Sequence, residues 1–481
     1  MKITKSNANL QNFIWLIVMV AVGGVALFCH LAGISLAIPL LVLYGGIYLY
    51  YDQKARLRLL LHLGLLLTLT LVMGYFLMQY SPTPSFYIPI ASVGMLTMLL
   101  FSDLSLAFLM SLLASMVIGI LAKNDLTLFL TFFIGSLSGV YAIKDARTRW
   151  DLIKTGVFVG IMQVACITLF HYDFLGRVDW STTYLVHFLR PLFLNGLISV
   201  AVVMFTSKIF ESIFGVVTNL SLLELADTNH PLLKRMAIEA PGTYHHSLIV
   251  SNLAESAANA IGAIGLLARV GAYYHDIGKL VKPEYFTENQ LGDKSKHDEL
   301  EPSISRLVIL NHVKEGMELA RKYKLNPIII DFIPQHHGTG LLHYFYQRAL
   351  EGSPEDVQEE NFRYAGPKPQ SRETAVVLLA DSVEGAVRAL DEPTPAKIDE
   401  VVRKIINNKF IDGQLDECDL TLKDIEKISQ TFSRTLGAMY HSRIKYPEKK
   451  NGNDYRGRKL TEANPHKSAA DHQGRKKAPS P

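Results

Sequence analysis

Apolar residues fill long, nearly uninterrupted runs as far as about Gly215, and beyond it they recur at helical intervals. A bilayer-spanning helix needs about 20 mostly apolar residues. Eight runs approach that length: Asn12–Ala32, Ile34–Tyr51, Leu59–Gln79, Phe86–Phe101, Leu104–Ala122, Leu126–Ile143, Leu152–Phe170 and Tyr184–Phe205. The run Phe86–Phe101 is short and contains Pro89, so a re-entrant segment is the alternative reading there. After Ser221 the pattern becomes amphipathic, with Leu248, Ile249, Leu253, Ala257 and Ile261 on one face of a helix over Tyr244–Ile261. Further helices are predicted at Leu266–His275, Ser303–Tyr323, Pro327–His336, Glu373–Leu390 and Leu422–His441. An amphipathic connector, Ser221–Ala240, is broken at Asn229-His230-Pro231. No run alternates with the period of a strand. The expected fold class is all-α: a multi-span helical membrane domain over 1–215, a helical connector over 216–240 and an all-helical cytoplasmic domain over 241–448. The basic tail 449–481 is too poor in apolar residues to offset its ordering entropy, and disorder is expected there.

Charge then orients the spans. Lys2 and Lys5 precede the first run, Lys54, Arg56 and Arg58 follow the second, and Lys144, Arg147, Arg149 and Lys154 follow the sixth. Basic residues concentrate in cytoplasmic loops, and an even number of spans with both ends inside satisfies all three clusters. The uncharged loop Tyr80–Ser85 then falls outside. The first run has no small-residue cleavage pattern and is followed at once by another, so it reads as a retained anchor. The net charge of +4 owes much to the tail and to these loops, so it is no footprint of DNA or RNA. Cys29, Cys166 and Cys418 form no CxxC pair, which excludes a disulfide framework and a zinc ribbon. His62, Asp103, His171, His187 and Arg190, in or beside the spans, are read as interfacial or packing residues, with an ion path or a ligand pocket as the alternative.

The chemistry is concentrated in the second half. His246, His275, Asp276, His312, His336, His337 and Asp381 are seven residues able to bind a metal within one helical domain. Imidazole and carboxylate ligands without cysteine suit divalent first-row ions such as Fe, Mn or Zn in a reactive centre and not a structural zinc site. His275 and Asp276, about 100° apart on a helix, would let the histidine take one ion while the carboxylate bridges two. Two ions held close together acidify a shared water and neutralise the charge that builds up on a phosphoryl group. His30, His230, His245, His297, His343 and His441 are read as structural.

Four motifs carry a resemblance. Pro241-Gly242-Thr243-Tyr244-His245-His246-Ser247, Ala272-Tyr273-Tyr274-His275-Asp276-Ile277-Gly278-Lys279, Pro283–Gln290 and Gly366-Pro367-Lys368-Pro369-Gln370-Ser371 resemble the seven-transmembrane HD family. That family, within the HD phosphohydrolase superfamily, contains membrane-anchored phosphodiesterases that hydrolyse cyclic di-AMP to linear pApA. The resemblance implies two divalent metal ions, Mn or Fe, sharing a hydroxide. One ion would be held by His246, His275, Asp276 and Asp381, the other by Asp276, His312, His336 and His337. Lys279, one turn past the HD pair, would face a phosphate oxygen and serve with Asp276 in catalysis. Lys368 and Arg372, in the loop leading to Asp381, are candidates to bind the second phosphate. Many family members carry a large external domain after the first span, whereas here only Gly33 and its neighbours separate the first two runs. A signal is therefore expected to reach the domain through the spans or a partner.

The implied partners are a cyclic dinucleotide substrate, the lipid bilayer of the cell membrane, and a second copy of the chain or a sensor protein. Three rival readings differ in sequence terms. Cyclic di-GMP hydrolysis by the related HD-GYP group requires a Gly-Tyr-Pro, but Gly338-Thr339-Gly340-Leu341 follows the histidine pair and no Gly-Tyr-Pro occurs in the chain. Hydrolysis of a mononucleotide is not distinguished by any residue. A non-catalytic nucleotide-binding receptor is disfavoured because every ligand position holds a competent side chain.

Overall fold

The structure, a computed structural model, describes residues 56–80, 85–123, 125–144, 146–170, 182–290, 296–352 and 357–440. The expected spans Asn12–Ala32 and Ile34–Tyr51, the residues Lys2, Lys5 and Lys54, and the tail 449–481 lie outside them. The protein is all-α, and among the described residues the only β pairing is an isolated bridge between Leu341 and Arg363. Five segments are long and apolar enough to cross a bilayer: Leu63–Tyr80, Leu104–Leu121, Leu126–Ile143, Arg149–Phe170 and Leu185–Phe214. It is a membrane protein.

In chain order the membrane helices are α1 (Arg56–Tyr80), α2 (Ala91–Phe101), α3 (Leu104–Leu121), α4 (Leu126–Ile143), α5 (Arg149–Phe170) and α6 (Arg190–Phe214), the last entered through a π-helical turn at Leu185–Leu189. The final span therefore runs nine residues beyond the expected end at Phe205, carrying Lys208 and Glu211 with it. Helix α2 is short because Pro89 precedes it, and every residue from Ala91 to Leu100 is buried among α3, α4 and α6. The carbonyls of Phe86 and Ile88, which the helix does not pair, accept from the Asn195 side-chain amide of α6 at 2.9 and 2.6 Å. In an apolar core each unpaired carbonyl would cost several kcal/mol, so Asn195 is what allows an irregular lead-in at that depth. Helices α5 and α6 approach through small residues: a Cβ on Gly196 would stand 2.1 Å from the Gly156 carbonyl oxygen.

The second half follows directly from α6. Glu211 accepts from the Thr218 amide at 3.0 Å and from the Ser221 hydroxyl, and the Asn326 amide donates to Val216 O at 3.0 Å. The expected connector is two short helices, α7 (Asn219–Leu225) and α8 (Pro231–Glu239), N-capped by Thr218 and His230. The rest comprises α9 (Pro241–Ala260), α10 (Gly265–Tyr274), α11 (Pro302–Lys322), α12 (His343–Gly352), α13 (Arg372–Arg388), α14 (Pro395–Ile411) and α15 (Leu422–Met439). Helix α9 lies at the centre, packed on α8, α10, α13 and α15, with Val250, Leu253, Ala254 and Ala257 wholly buried. The single helix expected over Pro327–His336 is two one-turn helices, Pro327–Ile330 and Phe332–Gln335. Pro334 has no N–H to offer the Ile330 carbonyl, so a continuous ladder is impossible. Helices α12 and α14 were not anticipated, although Thr394-Pro395 at the start of α14 is an N-cap followed by proline at the first helical position.

Candidate metal centre

His246 lies in the second turn of α9, His275 caps the C-terminus of α10, His312 is in the middle of α11, His336 and His337 follow the turn Phe332–Gln335, and Asp381 is in the third turn of α13. Asp276 has left the helix, with φ −109° and ψ 16°, and opens a 3-10 segment over Ile277–Val281. The expected 100° helical offset between His275 and Asp276 thus does not apply: a change of backbone conformation between the two residues separates them. Gly278 lets that segment press against α11, since a Cβ there would stand 1.8 Å from the His312 carbonyl oxygen. This close approach brings the Asp276 carboxylate to His312.

Seven side chains drawn from six separate segments converge. The ligand atoms of His246, His275, Asp276 and Asp381 all lie within 4.8 Å of one another, as do those of Asp276, His312, His336 and His337. Asp276 belongs to both groups and divides its oxygens between them. Its Oδ2 faces His275 Nε2 at 3.2 Å and His246 Nε2 at 3.7 Å, while its Oδ1 faces His312 Nε2 and His336 Nε2, each at 3.5 Å. Asp381 completes the first group through Oδ1, 3.1 Å from His246 Nε2, and reaches His337 Nδ1 with Oδ2 at 3.7 Å.

The opposite nitrogens show what the inward ones are for. His275 Nδ1 bonds Ala272 O at 2.7 Å, His312 Nδ1 bonds Ile309 O at 2.5 Å, and His336 Nδ1 bonds Ile333 O at 2.6 Å. A carbonyl can only accept, so each Nδ1 carries a proton, which leaves the inward Nε2 as the nitrogen able to take a metal. His246 Nδ1 meets Glu384 Oε2 at 2.5 Å, the carboxylate version of the same arrangement. His275 Nε2, His312 Nε2, His336 Nε2 and Asp276 Oδ1 are buried with no hydrogen-bond partner. Four orphaned acceptors around two small spaces are a costly arrangement that a divalent cation in each would satisfy, so the donor set fits a metal.

The protein's own charges divide the centre in two. With no ion bound, burial opposes a proton on His246 and His275, but the Asp381 and Glu384 hydrogen bonds lift His246 to about 9, and Asp276 and Asp381 lift His275 to about 10, so a cation in this group would displace the Nε2 proton to reach the ring nitrogen. Burial dominates in the other group, pushing His312 down to about 4 and His337 well below the usual imidazole range. Asp276 stays ionised despite its burial because Lys279 and His275 hold its carboxyl well below the usual range, and His246 and His275 do the same for Asp381.

Lys279 is no surface lysine. Its Nζ lies 2.8 Å from both Asp276 Oδ2 and Glu288 Oε1, and burial fails to depress its pKa because those two carboxylates raise it. Glu288 also accepts from the Thr243 hydroxyl at 3.1 Å, so the motifs around Gly242, Lys279 and Glu288 interlock behind the centre. The other two candidates are placed differently. Lys368 Nζ pairs with Asp416 at 3.5 Å. Arg372 opens α13 nine residues before Asp381, donates to Ile261 O and pairs with Asp424 at 3.7 Å. The structure brings together the seven candidate ligands and Lys279, but not Arg372, whose partners are the end of α9 and the start of α15. Glu384, Glu288 and Tyr364 were missed by the sequence reading. Glu384 had a signal, being one turn after Asp381 on the same helical face. Tyr364, stacked on His337 at 4.1 Å between ring centroids, had none.

Both halves of the chain are similar to known proteins. Residues 24–218 match the family described as 7TM receptor with intracellular HD hydrolase, and residues 243–386 match the HD domain. The cyclic-di-AMP phosphodiesterase PgpH of Bacillus subtilis is 37% identical over 439 residues, 88% of this chain and 61% of that protein. PgpH of Listeria monocytogenes is 42% identical over 371 residues, 76% of this chain and 51% of that protein. The crystal structure of the L. monocytogenes PgpH HD domain in complex with cyclic-di-AMP is 52% identical, with a TM-score of 0.44, and covers 44% of this chain and 100% of its own. The chain thus spans 51–61% of the length of these two curated relatives.

Proposed function

Because the chain belongs to the family of seven-transmembrane receptors with an intracellular HD hydrolase, we propose that it is a membrane-anchored, metal-dependent phosphodiesterase that hydrolyses cyclic di-AMP to linear pApA. The observation that carries this reading is the division of the Asp276 oxygens, one to each of two ligand groups. His246, His275, Asp276 and Asp381 would hold one divalent ion, and Asp276, His312, His336 and His337 the other, with Mn or Fe suited to the imidazole and carboxylate set. Bound there, such ions supply Lewis acidity toward the phosphoryl oxygens and a water acid enough to react near neutral pH.

The chain's own residues do the rest. The carbonyls of Ala272, Ile309 and Ile333, with Glu384, keep four imidazole lone pairs aimed inward. Lys279 balances the charge of Asp276 and, held between Asp276 and Glu288, has a third N–H direction available for a phosphoryl oxygen. The substrate class comes from the two PgpH relatives, which carry cyclic-di-AMP phosphodiesterase in their names. The cytoplasmic placement rests on charge: Arg149 and Lys208 both pair with Glu224 of α7, at 2.7 and 2.9 Å. The basic loop Lys144–Lys154 and the HD domain therefore share one end of the bundle, the end that basic residues assign to the cytoplasm. Such a site would have direct access to nucleotides.

The test is to purify the full chain in detergent, load it with Mn or Fe, and follow cyclic di-AMP, cyclic di-GMP and pApA by chromatography. Conversion of cyclic di-AMP to pApA is expected. No turnover of any cyclic dinucleotide with metal bound would leave a nucleotide-binding receptor as the better description, and preference for cyclic di-GMP would overturn the substrate.

A further inference from the structure

Most cations around the centre are engaged by carboxylates: Lys279 by Asp276 and Glu288, Arg363 by Glu359 and Asp412, Lys368 by Asp416, and Arg372 by Asp424. Lys409, in the last turn of α14, differs. It is half-buried, and among the described residues its ammonium forms neither an ion pair nor a hydrogen bond. Its ammonium points at the turn that follows the histidine pair, where a Cβ on Gly340 would stand 3.3 Å from Nζ.

That turn is built on the centre itself. Gly340 N–H donates to His337 O at 3.0 Å, and Gly340 O accepts from Tyr364 N–H at 3.0 Å. The Tyr364 ring stacks on His337 at 4.1 Å and meets the edge of His312 at 6.1 Å. Arg363 Nη1 donates to Thr339 O at 2.9 Å, and Gln414 Oε1 accepts from Thr339 N–H at 2.9 Å. The turn that the Lys409 ammonium faces is thus held against His337 by backbone hydrogen bonds. Burial lowers its pKa below that of an ordinary lysine, an effect Asp381 and Asp412 only partly reverse. A cation drawn out of water without a partner is costly, and a dianionic substrate bound at the adjacent centre would supply one.

We infer that Lys409 is a substrate-binding residue that contacts the phosphate of a cyclic dinucleotide that is not being cleaved, on the His337 and Asp381 side of the centre. This rests on the dinucleotide reading above. It replaces Lys368 and Arg372, which have carboxylate partners of their own. The cleaved phosphate belongs to the Asp276 side, where Lys279 and both ligand groups converge. Lys409, across the Gly340 turn, is placed for the other one.

The experiment compares the full chain with Lys409→Met and Lys409→Arg on two substrates, cyclic di-AMP and bis(p-nitrophenyl) phosphate, a diester with a single phosphate. Losing a charge-assisted hydrogen bond corresponds to on the order of 10-fold in affinity. For Lys409→Met the KM for cyclic di-AMP is expected to rise by about that factor, with kcat and bound metal unchanged and the single-phosphate diester cleaved as before. Lys409→Arg is expected to restore most of the affinity. An unchanged KM for cyclic di-AMP, or equal losses on both substrates, would overturn the inference and leave the functional reading intact. A wild-type chain that cleaves the simple diester but no cyclic dinucleotide would instead sink the functional reading, and this one with it.

Discussion

Asp276 and Glu384 show how unequal the members of one cluster are. Among the described residues Asp276 alone belongs to both four-residue ligand groups, so Asp276→Ala is expected to lower the bound metal from two equivalents to less than one and to abolish turnover. Metal analysis of the purified variant checks this, and two retained ions would exclude the bridging assignment. Glu384 touches no ion position, yet its bond to His246 Nδ1 sets the ring and its tautomer. Removing such an orienting partner costs on the order of 10- to 100-fold in metal affinity or activity. Glu384→Gln keeps a carbonyl acceptor and is expected near the lower end of that range, with Glu384→Ala near the upper end, both read from metal titrations. The seven candidate ligands were legible because histidine and aspartate in these contexts have few other uses. Lys409, Tyr364 and Glu288 were not, because a lysine, a tyrosine and a glutamate occur on any helical surface, and only the folded chain shows which of them face the centre.

Among the elements, the short 3-10 segment after Asp276 matters more than any long helix. It presses on α11 only because residue 278 has no side chain. Gly278→Ala is expected to push the two apart, costing about 1–3 kcal/mol as overpacking does, and to weaken the second metal group more than the first, since only that group draws on α11. A melting curve with and without Mn measures both effects, and an unchanged melting temperature would refute the close-packing argument. Helix existence followed from hydrophobic period in most places, though not for α12 and α14. The ends that sequence misplaced, at Phe205 and across Pro327–His336, are where a span continues into a soluble domain and where Pro334 interrupts a ladder. In the membrane, Asn195→Leu removes the donor to Phe86 O and Ile88 O and is expected to lower the thermal stability of the full chain in detergent, because Phe86 O would be left unpaired in an apolar core and Ile88 O would keep only the Ile90 N–H.

At the scale of the whole molecule, the bundle and the metal-ligating domain are joined by a set of polar contacts. Glu211, Val216 and Glu224 tie α6 to α7, and Asn326 reaches α6 from the segment that carries His336. The orientation argument predicts that a cysteine introduced at Glu224 is protected from a membrane-impermeant maleimide in intact cells, whereas one at Asp125, in the turn between α3 and α4, is labelled. The reverse pattern would place the HD domain outside. Amino-acid order alone determined that the chain has an apolar and a polar half, that both are helical, and which seven residues can bind metal, because periodicity and ligand chemistry are local properties. It did not determine which carboxylate oxygen serves which group, where Lys279, Lys368 and Arg372 spend their charge, or that Lys409 stands beside the histidine pair. Those are distances between residues remote along the chain, and only packing of α9, α10, α11, α13 and α14 around a common centre sets them.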